Sequence, residues 1–302
     1  MQHRNDILWP TVAAITNTSP EHLDYHKTME QYRKDKGILF SMLRGRGTKV
    51  LNEDDETASL YASIPSANTI LYAPSKHLSN VETTTTETSA SATVNGQSIQ
   101  LKLPIPGAFN LFNALCALSC TAAVGVNPKQ GAAALTTFTG VPGRLERIDE
   151  GQPFAVYVDF TVSPAAYEKT LEGIRATLAP DKRLLVLTGS CGNRMPEKRP
   201  MIGKIVSDLA DVVVVSEDET LTEDPQKVID EVWAGIDREK IDAHQIFDRR
   251  EGIRFLLKAA KPGDAVALCG MGACTTMQTR DGLRPWDERE VAREILREMV
   301  KK

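Results

Sequence analysis

Between Ser19 and His26 the chain reads SPEHLDYH, placing His22, Asp24 and His26 at alternate positions of one segment, with Lys36 fourteen residues beyond His22. Imidazole, carboxylate and amine groups gathered after an apolar strand can carry chemistry, provided a helix carries Lys36 back so that it converges with the loop histidine. The same string also suits helix initiation, because Ser19 is a capping residue and Glu21 and Asp24 complement a helix dipole. Spacing alone leaves both readings open.

Further along, PGAFNLFN sets Asn110 and Asn113 three apart at a helix start, able to hydrogen-bond a ligand's polar edge or to serve capping and packing. Arg144, in GVPGRLER, can grip a phosphate bidentately or form a surface ion pair. TGSCGNRMPEKRP holds two glycines with Arg194, Lys198 and Arg199, the makings of an anion-binding turn without either standard phosphate-loop spacing. SEDETLTEDP can hold Mg²⁺ or an amine, although capping a helix at Pro225 is its plainer use. Cys191, Cys269 and Cys274 stand near strand ends without paired histidines and read as small buried hydrophobes.

The elements that must position these groups follow from periodicity. TVAAITNT reads as a strand, Thr28 to Leu43 as a helix with apolar points at Met29, Tyr32, Ile38, Leu39 and Met42, and KVLNED and TILYA as short strands around a helical stretch. The Thr/Ser-rich segment 79–103 contains Asn95-Gly96 between alternating stretches and predicts a hairpin. A helix follows from Asn110 to Val124, then a second ending near Phe138, and GVPGRLER reads as a hinge between domains. Beyond it, FAVYVDF, RLLVLTG, DVVVVS and AVALCG alternate with helices at Pro164 to Leu178, Arg199 to Leu209, Pro225 to Ile236 and Arg249 to Ala260. Unbroken Val/Leu runs imply strands covered on both faces, hence a parallel doubly wound sheet whose strand ends at Asp159, Gly189, Ser216 and Gly270 share one ligand-binding edge.

The chain's 302 residues suit two domains, and 36 basic against 40 acidic residues, with no basic block, give a net charge of −4 and no support for nucleic-acid binding or an anionic membrane surface. Five cysteines without a C-x-x-C pair argue against a disulfide framework and for a reducing cytoplasm. No apolar run approaches the roughly 18 residues that span a bilayer.

Taken in order, TN-x-SPEHLDYH, PGAFNLFN, GRLERID, VDF, TGSCGNR with KRP, DRREGI, PGD, GMG and DEREVARE resemble the Mur ligases, in particular their tripeptide-synthetase branch. The resemblance implies an α/β chain: the C-terminal part of a central ATP-binding domain over residues 1–141, then a Rossmann-like C-terminal domain over 142–302. It implies ATP and Mg²⁺ as cofactors and ATP-dependent addition of an amino acid to a UDP-N-acetylmuramoyl-peptide, through an acyl phosphate, in peptidoglycan synthesis. By the same resemblance His22 matches a metal-binding histidine and Lys36 a carbamylated, metal-bridging lysine. Asn110 and Asn113 match positions near adenine, Arg144 an arginine reaching the nucleotide phosphates, and Asp159 an aspartate at the ribose.

Departures from the pattern are equally legible. No G-T-N-G-K-T-T phosphate loop precedes Ser19, the D-Y-A-H histidine falls on Val162, DNPR becomes Asp218 to Leu221, and GKGHE becomes Gly270 to Cys274. The chain is therefore expected to be inactive by itself and to work with a separate N-terminal ligase fragment; a non-catalytic binder of nucleotide or precursor is the alternative.

Overall fold

The structure, a computed structural model, describes residues 9–20 and 23–300, with only the backbone of Asp24. It divides into two compact units: the first holds residues 9–83, 87–104 and 108–138, the second residues 84–86, 105–107 and 139–300.

In the first unit, β1 (Val12–Ile15), β2 (Thr48–Asn52) and β3 (Asn68–Tyr72) form a parallel sheet in the order β1-β2-β3. The short helix α1 (Leu23–His26) and the longer α2 (Met29–Ser41) link the first two strands; α3 (Ala58–Ala62) links the next two. The expected Thr28–Leu43 helix is therefore slightly shorter. Its cap is Thr28, in extended conformation, whose hydroxyl accepts the Gln31 N–H at 3.1 Å. Ala13, Phe40, Leu43, Leu51 and Tyr61 form the core between sheet and helices. Lys49 is buried in this sheet and donates to the carbonyls of Tyr61 and Ala62, which satisfies the otherwise orphaned acceptors at the end of α3.

After α4 (Pro74–His77), the Thr/Ser-rich segment forms the antiparallel sheet β4 (Leu78–Thr83), β5 (Thr88–Val94) and β6 (Gln97–Leu103), with Asn95 and Gly96 both at positive φ in the predicted turn. Alternation explains it: Thr88, Ala90, Ala92 and Val94 are buried on one face. Helices α5 (Phe109–Ala122) and α6 (Pro128–Leu135) complete the unit.

In the second unit, six strands run in the order β11-β10-β9-β12-β8-β7. They are β7 (Glu146–Arg147), β8 (Ala155–Asp159), β9 (Leu184–Thr188), β10 (Val212–Val215), β11 (Asp242–Gln245) and β12 (Ala265–Cys269), all parallel except β7. The helices are α7 (Pro164–Arg175), α8 (Lys198–Leu209), α9 (Pro225–Trp233), α10 (Arg249–Ala259) and α11 (Glu288–Val300), and a hairpin β13 (Thr276–Thr279) and β14 (Gly282–Pro285) precedes α11. Every residue of β9, β10 and β12 is buried, as continuous apolar runs require of a sheet covered on both faces. The edge strand β11 and the hairpin were not legible beforehand, because Asp242–Gln245 is polar and half-exposed and takes its conformation from pairing with β10. No helix among the described residues is long and apolar enough to cross a membrane.

Candidate functional site

In the first unit the candidate groups sit beyond the carboxyl ends of β1 and β2. Asn52 donates to the Thr16 carbonyl at 2.9 Å. Asp55 accepts the Thr18 N–H at 3.1 Å and the Thr18 hydroxyl at 3.2 Å, and hydrogen-bonds the Thr57 hydroxyl. Asn52 and Asp55 thus tie the start of the SPEHLDYH segment to the neighbouring strand, and these hydrogen bonds hold the Asp55 carboxyl below the usual carboxylate range despite its partial burial. Sequence reading singled out neither residue; partners thirty-six and thirty-seven positions away leave no local signal.

His22 lies outside the described residues. Lys36 is exposed on α2, with Nζ 5.3 Å from the Tyr32 ring centroid, and it forms no ion pair among the described residues. His26, in contrast, is fixed: its Nδ1 lies 2.7 Å from Asp35 Oδ2 and its ring makes edge contacts with Tyr25 and Tyr32 at centroid distances of 4.9 and 5.1 Å. Asp35 was not singled out from the sequence. Among the described residues no three His, Cys, Asp or Glu side chains converge on a metal-sized gap. Lys36 is an exposed amine without a counter-ion among the described residues. On α5, Asn110 is half-buried and Asn113 exposed, both in the first turns of the helix.

In the second unit Arg144 and Asp159 belong to one small cluster. The Asp159 carboxylate accepts the Leu145 N–H at 2.6 Å and hydrogen-bonds the Thr161 hydroxyl, while burial pushes its pKa upward. The Arg144 guanidinium lies 4.8 Å from the Phe160 ring centroid and donates to the Phe160 carbonyl at 3.2 Å; it is exposed and has no carboxylate partner among the described residues. An arginine so placed keeps most of its donors for an anion, which fits a nucleotide phosphate. Asp159 retains acceptor capacity for a hydroxyl, although two of its lone pairs are already used. Gly143 has φ +64° and packs so closely on Gly272 and Ala273 that a Cβ would overlap the Ala273 nitrogen. The turn at Gly143 and the loop after β12 thereby meet at backbone contact distance.

The carboxyl ends of β8, β9, β10 and β12 do share one edge, since Asp159 pairs with Cys269, Leu187 with Leu268 and Thr188 with Val215. Its buried arginines are spent internally. Arg249, fully buried, bonds both oxygens of Glu288 at 2.7 Å, the Cys269 carbonyl at 2.7 Å and the Glu217 carbonyl at 3.1 Å. Arg199, also fully buried, holds Glu223 at 2.7 and 3.0 Å and pairs with Glu231. Asp218 is buried between Gly189 and Gly270, its carboxyl pushed upward by burial against the opposing pull of Arg249. Leu221 stands at φ +53°, an uncommon conformation for this residue type, with its N–H bonded to the Gln278 carbonyl at 3.0 Å. As expected, Asp224 caps α9 ahead of Pro225, accepting from Gln226 at 2.9 Å. A cavity of about 510 Å³ bordered by Glu217, Arg284 and Trp286 lies beside this edge and contains none of the predicted site residues.

The comparisons with known proteins agree with this architecture. The Mur ligase middle domain matches residues 1–121 and the Mur ligase glutamate ligase domain residues 143–272. The chain is 34% identical over 292 residues to the UDP-N-acetylmuramoyl-L-alanyl-D-glutamate--2,6-diaminopimelate ligase of Chlorobaculum tepidum, covering 92% of this chain and 57% of that protein. It is 35% identical over 308 residues to the UDP-N-acetylmuramyl-tripeptide synthetase of Roseiflexus sp., covering 95% of this chain and 60% of that protein. Among solved structures, the MurF ligase of Thermotoga maritima in complex with ADP matches with a TM-score of 0.73 at 19% identity, covering 99% of this chain and 64% of that one. The chain thus spans about three-fifths of the length of the curated relatives it matches. With both domain matches in sequence order and the parallel sheets they require in place, the chain belongs to the Mur ligase family and carries its middle and C-terminal domains.

Proposed function

We propose that the chain serves ATP-dependent amide-bond formation, adding an amino acid to a UDP-N-acetylmuramoyl-peptide in peptidoglycan synthesis, and that these 302 residues do not turn over ATP by themselves. The observation that carries the first part is Arg144, an exposed guanidinium oriented by Phe160 and left without a carboxylate, on a chain whose relatives bear the names of such ligases. ATP supplies the phosphoryl group that activates the acceptor carboxylate. Arg144 binds and orients the phosphates, Asp159 accepts from the ribose, and Asn110 and Asn113 hydrogen-bond the adenine edge. Lys36, its neutral amine having taken up CO₂ and lost a proton to become a carbamate, would hold Mg²⁺ together with His22, and the ion would neutralise phosphate charge.

The second part rests on positioning. Phosphoryl transfer depends on donors fixed around the β- and γ-phosphates, and the 302 residues contain no G-x-x-G-K-[ST] segment to supply them. Loss of even one preorganised donor commonly costs about 10²–10³ in rate. A separate N-terminal ligase fragment is the proposed partner. The test is ATP consumption by the purified chain with Mg²⁺, UDP-N-acetylmuramoyl-dipeptide and an amino acid, with and without a co-expressed fragment carrying G-T-N-G-K-T. Activity only on mixing supports the reading; robust activity of the chain alone overturns the second part. No activity in either case, with ADP still bound, favours a non-catalytic nucleotide binder, in keeping with the small or apolar residues at Val162, Leu221 and Met271.

A further inference from the structure

Arg144 stands between two residues in the left-handed region. Residues 141–144 close a tight turn in which the Arg144 N–H donates to the Val141 carbonyl at 3.0 Å, and Gly143 at φ +64° and Leu145 at φ +47° flank the arginine. Glycine adopts such a φ freely, whereas leucine does so at a steric cost and stays there only where its surroundings hold it. Leu145 is held twice. Its side chain is 3% exposed, and its N–H donates to Asp159 Oδ2 at 2.6 Å.

The Asp159 carboxylate is itself fixed, because the buried Thr161 hydroxyl donates to its other oxygen. Between these two residues, the Phe160 N–H donates to the Gly143 carbonyl at 2.8 Å. The Phe160 carbonyl then accepts from the Arg144 guanidinium at 3.2 Å, and the Phe160 ring centroid lies 4.8 Å from it. Segments 143–145 and 159–161 are thus laced together around the arginine. The guanidinium is close enough to pull down the Asp159 pKa, yet the two side chains form no ion pair among the described residues. Asp159 directs its oxygens at a backbone N–H and a hydroxyl, and the guanidinium keeps its donors for an anion.

We propose that Asp159 is a positioning residue for the anion site: by accepting the Leu145 N–H it locks the left-handed turn from which Arg144 presents its guanidinium to the nucleotide phosphates. The proposal rests on the reading of Arg144 as the phosphate-binding residue. Two rivals predict different outcomes. A carboxylate that meets only the ribose affects nucleotide binding and leaves inorganic pyrophosphate untouched. One that acts by charge alone repels phosphate, so its removal tightens binding. Positioning predicts the opposite sign, with a loss that includes a ligand without ribose.

The test is calorimetric titration of the intact chain with inorganic pyrophosphate and with ADP. It compares wild type, Asp159→Ala, Asp159→Asn, Arg144→Met and the double variant Arg144→Met, Asp159→Ala, with melting temperatures to report folding. The expected result is about a tenfold loss of pyrophosphate affinity in Asp159→Ala, similar to that in Arg144→Met, and at least as large a loss for ADP. Asp159→Asn, whose amide oxygen still accepts from Leu145, should stay within about threefold of wild type. In the Arg144→Met background, Asp159→Ala should change pyrophosphate affinity less than about twofold, because a residue acting through Arg144 has nothing left to position. If Asp159→Ala does not fold, Thr161→Val removes the hydrogen bond that orients the carboxylate, and about a threefold loss that vanishes without Arg144 is expected. Unchanged or tighter pyrophosphate binding in the folded variant, or an equal loss with and without Arg144, overturns the proposal while the Arg144 reading stands. If Arg144→Met leaves both ligands unaffected, or wild type binds neither, the Arg144 reading falls and the proposal with it.

Discussion

Two regions of the molecule treat charge in opposite ways. At the carboxyl edge of the second unit the buried cations are fully committed: Arg249 to Glu288 and two carbonyls, and Arg199 to Glu223 and Glu231. In the first unit the cation beside the candidate site, Lys36, is exposed and has no ion pair among the described residues, and the same holds in the second unit for Arg144. A buried charge must be partnered because desolvation costs several kcal/mol, so buried arginines become part of the framework. Exposed charges carry no such requirement and remain available to a ligand. Burial, rather than residue type or proximity to a strand end, separates scaffold from candidate site here.

Four measurements can break or sharpen that contrast. The largest effect is expected for Arg249→Met, which leaves Glu288 buried and unpaired and should cost about 3–5 kcal/mol in urea unfolding of the second unit. The double variant Arg249→Met, Glu288→Leu should recover only part of that loss, because it abolishes the stranded Glu288 charge but leaves buried Asp218 and the Glu217 and Cys269 carbonyls without their cation. A single-variant cost below 1 kcal/mol would show that this pair does not hold the edge together.

Next is Gly192→Ala. A Cβ there would overlap the Thr220 carbonyl, so the TGSCGNR turn must move away from the 217–221 loop, at about 1–3 kcal/mol by thermal unfolding. A neutral result would mean that the two loops separate freely.

The third concerns acid. Arg199 and the Asn193 N–H hold the Glu223 carboxyl at about 2, below its ordinary 4.5. The folded-state value is the lower one, so the contribution is fully present above pH 4.5 and disappears as pH falls toward 2. It amounts to roughly 3 kcal/mol at most. Glu223→Gln should flatten the stability profile between those limits, and an unchanged profile would remove Glu223 from the acid-sensitive set.

The smallest stability effects are expected where the candidate site is. Lys36→Met and Arg144→Met should each shift unfolding by no more than about 0.5 kcal/mol, as exposed unpaired side chains do. Arg144→Met should nevertheless weaken binding of a fluorescent ADP analogue about tenfold, near the lower end of a charged hydrogen bond's contribution. If Arg144→Met destabilised the fold by about 2 kcal/mol instead, Arg144 would belong with Arg249, and the contrast between buried and exposed cations would fail.

What the sequence determined by itself was mostly periodic or ordered along the chain. Continuous Val and Leu runs specified the parallel strands β9, β10 and β12, because strands covered on both faces have no polar face to show. Asn95-Gly96 specified a hairpin because both positions require positive φ. The Thr28 and Asp224 caps, and the motif order that identifies the family, are local features of the same kind.

Only the tertiary structure decided which charged residues meet. Arg249 reaches Glu288 across thirty-nine positions, Arg199 reaches Glu223 across twenty-four, and Asp55 reaches Thr18 across thirty-seven. His26 finds Asp35 because the chain turns between α1 and α2, and nothing in their nine-residue separation says so. Secondary structure follows from short-range sterics and periodic burial, which any stretch of chain carries with it. Whether a carboxylate becomes a scaffold partner, a ligand's acceptor or the support behind an imidazole depends on desolvation and distance, and those exist only once the chain has folded.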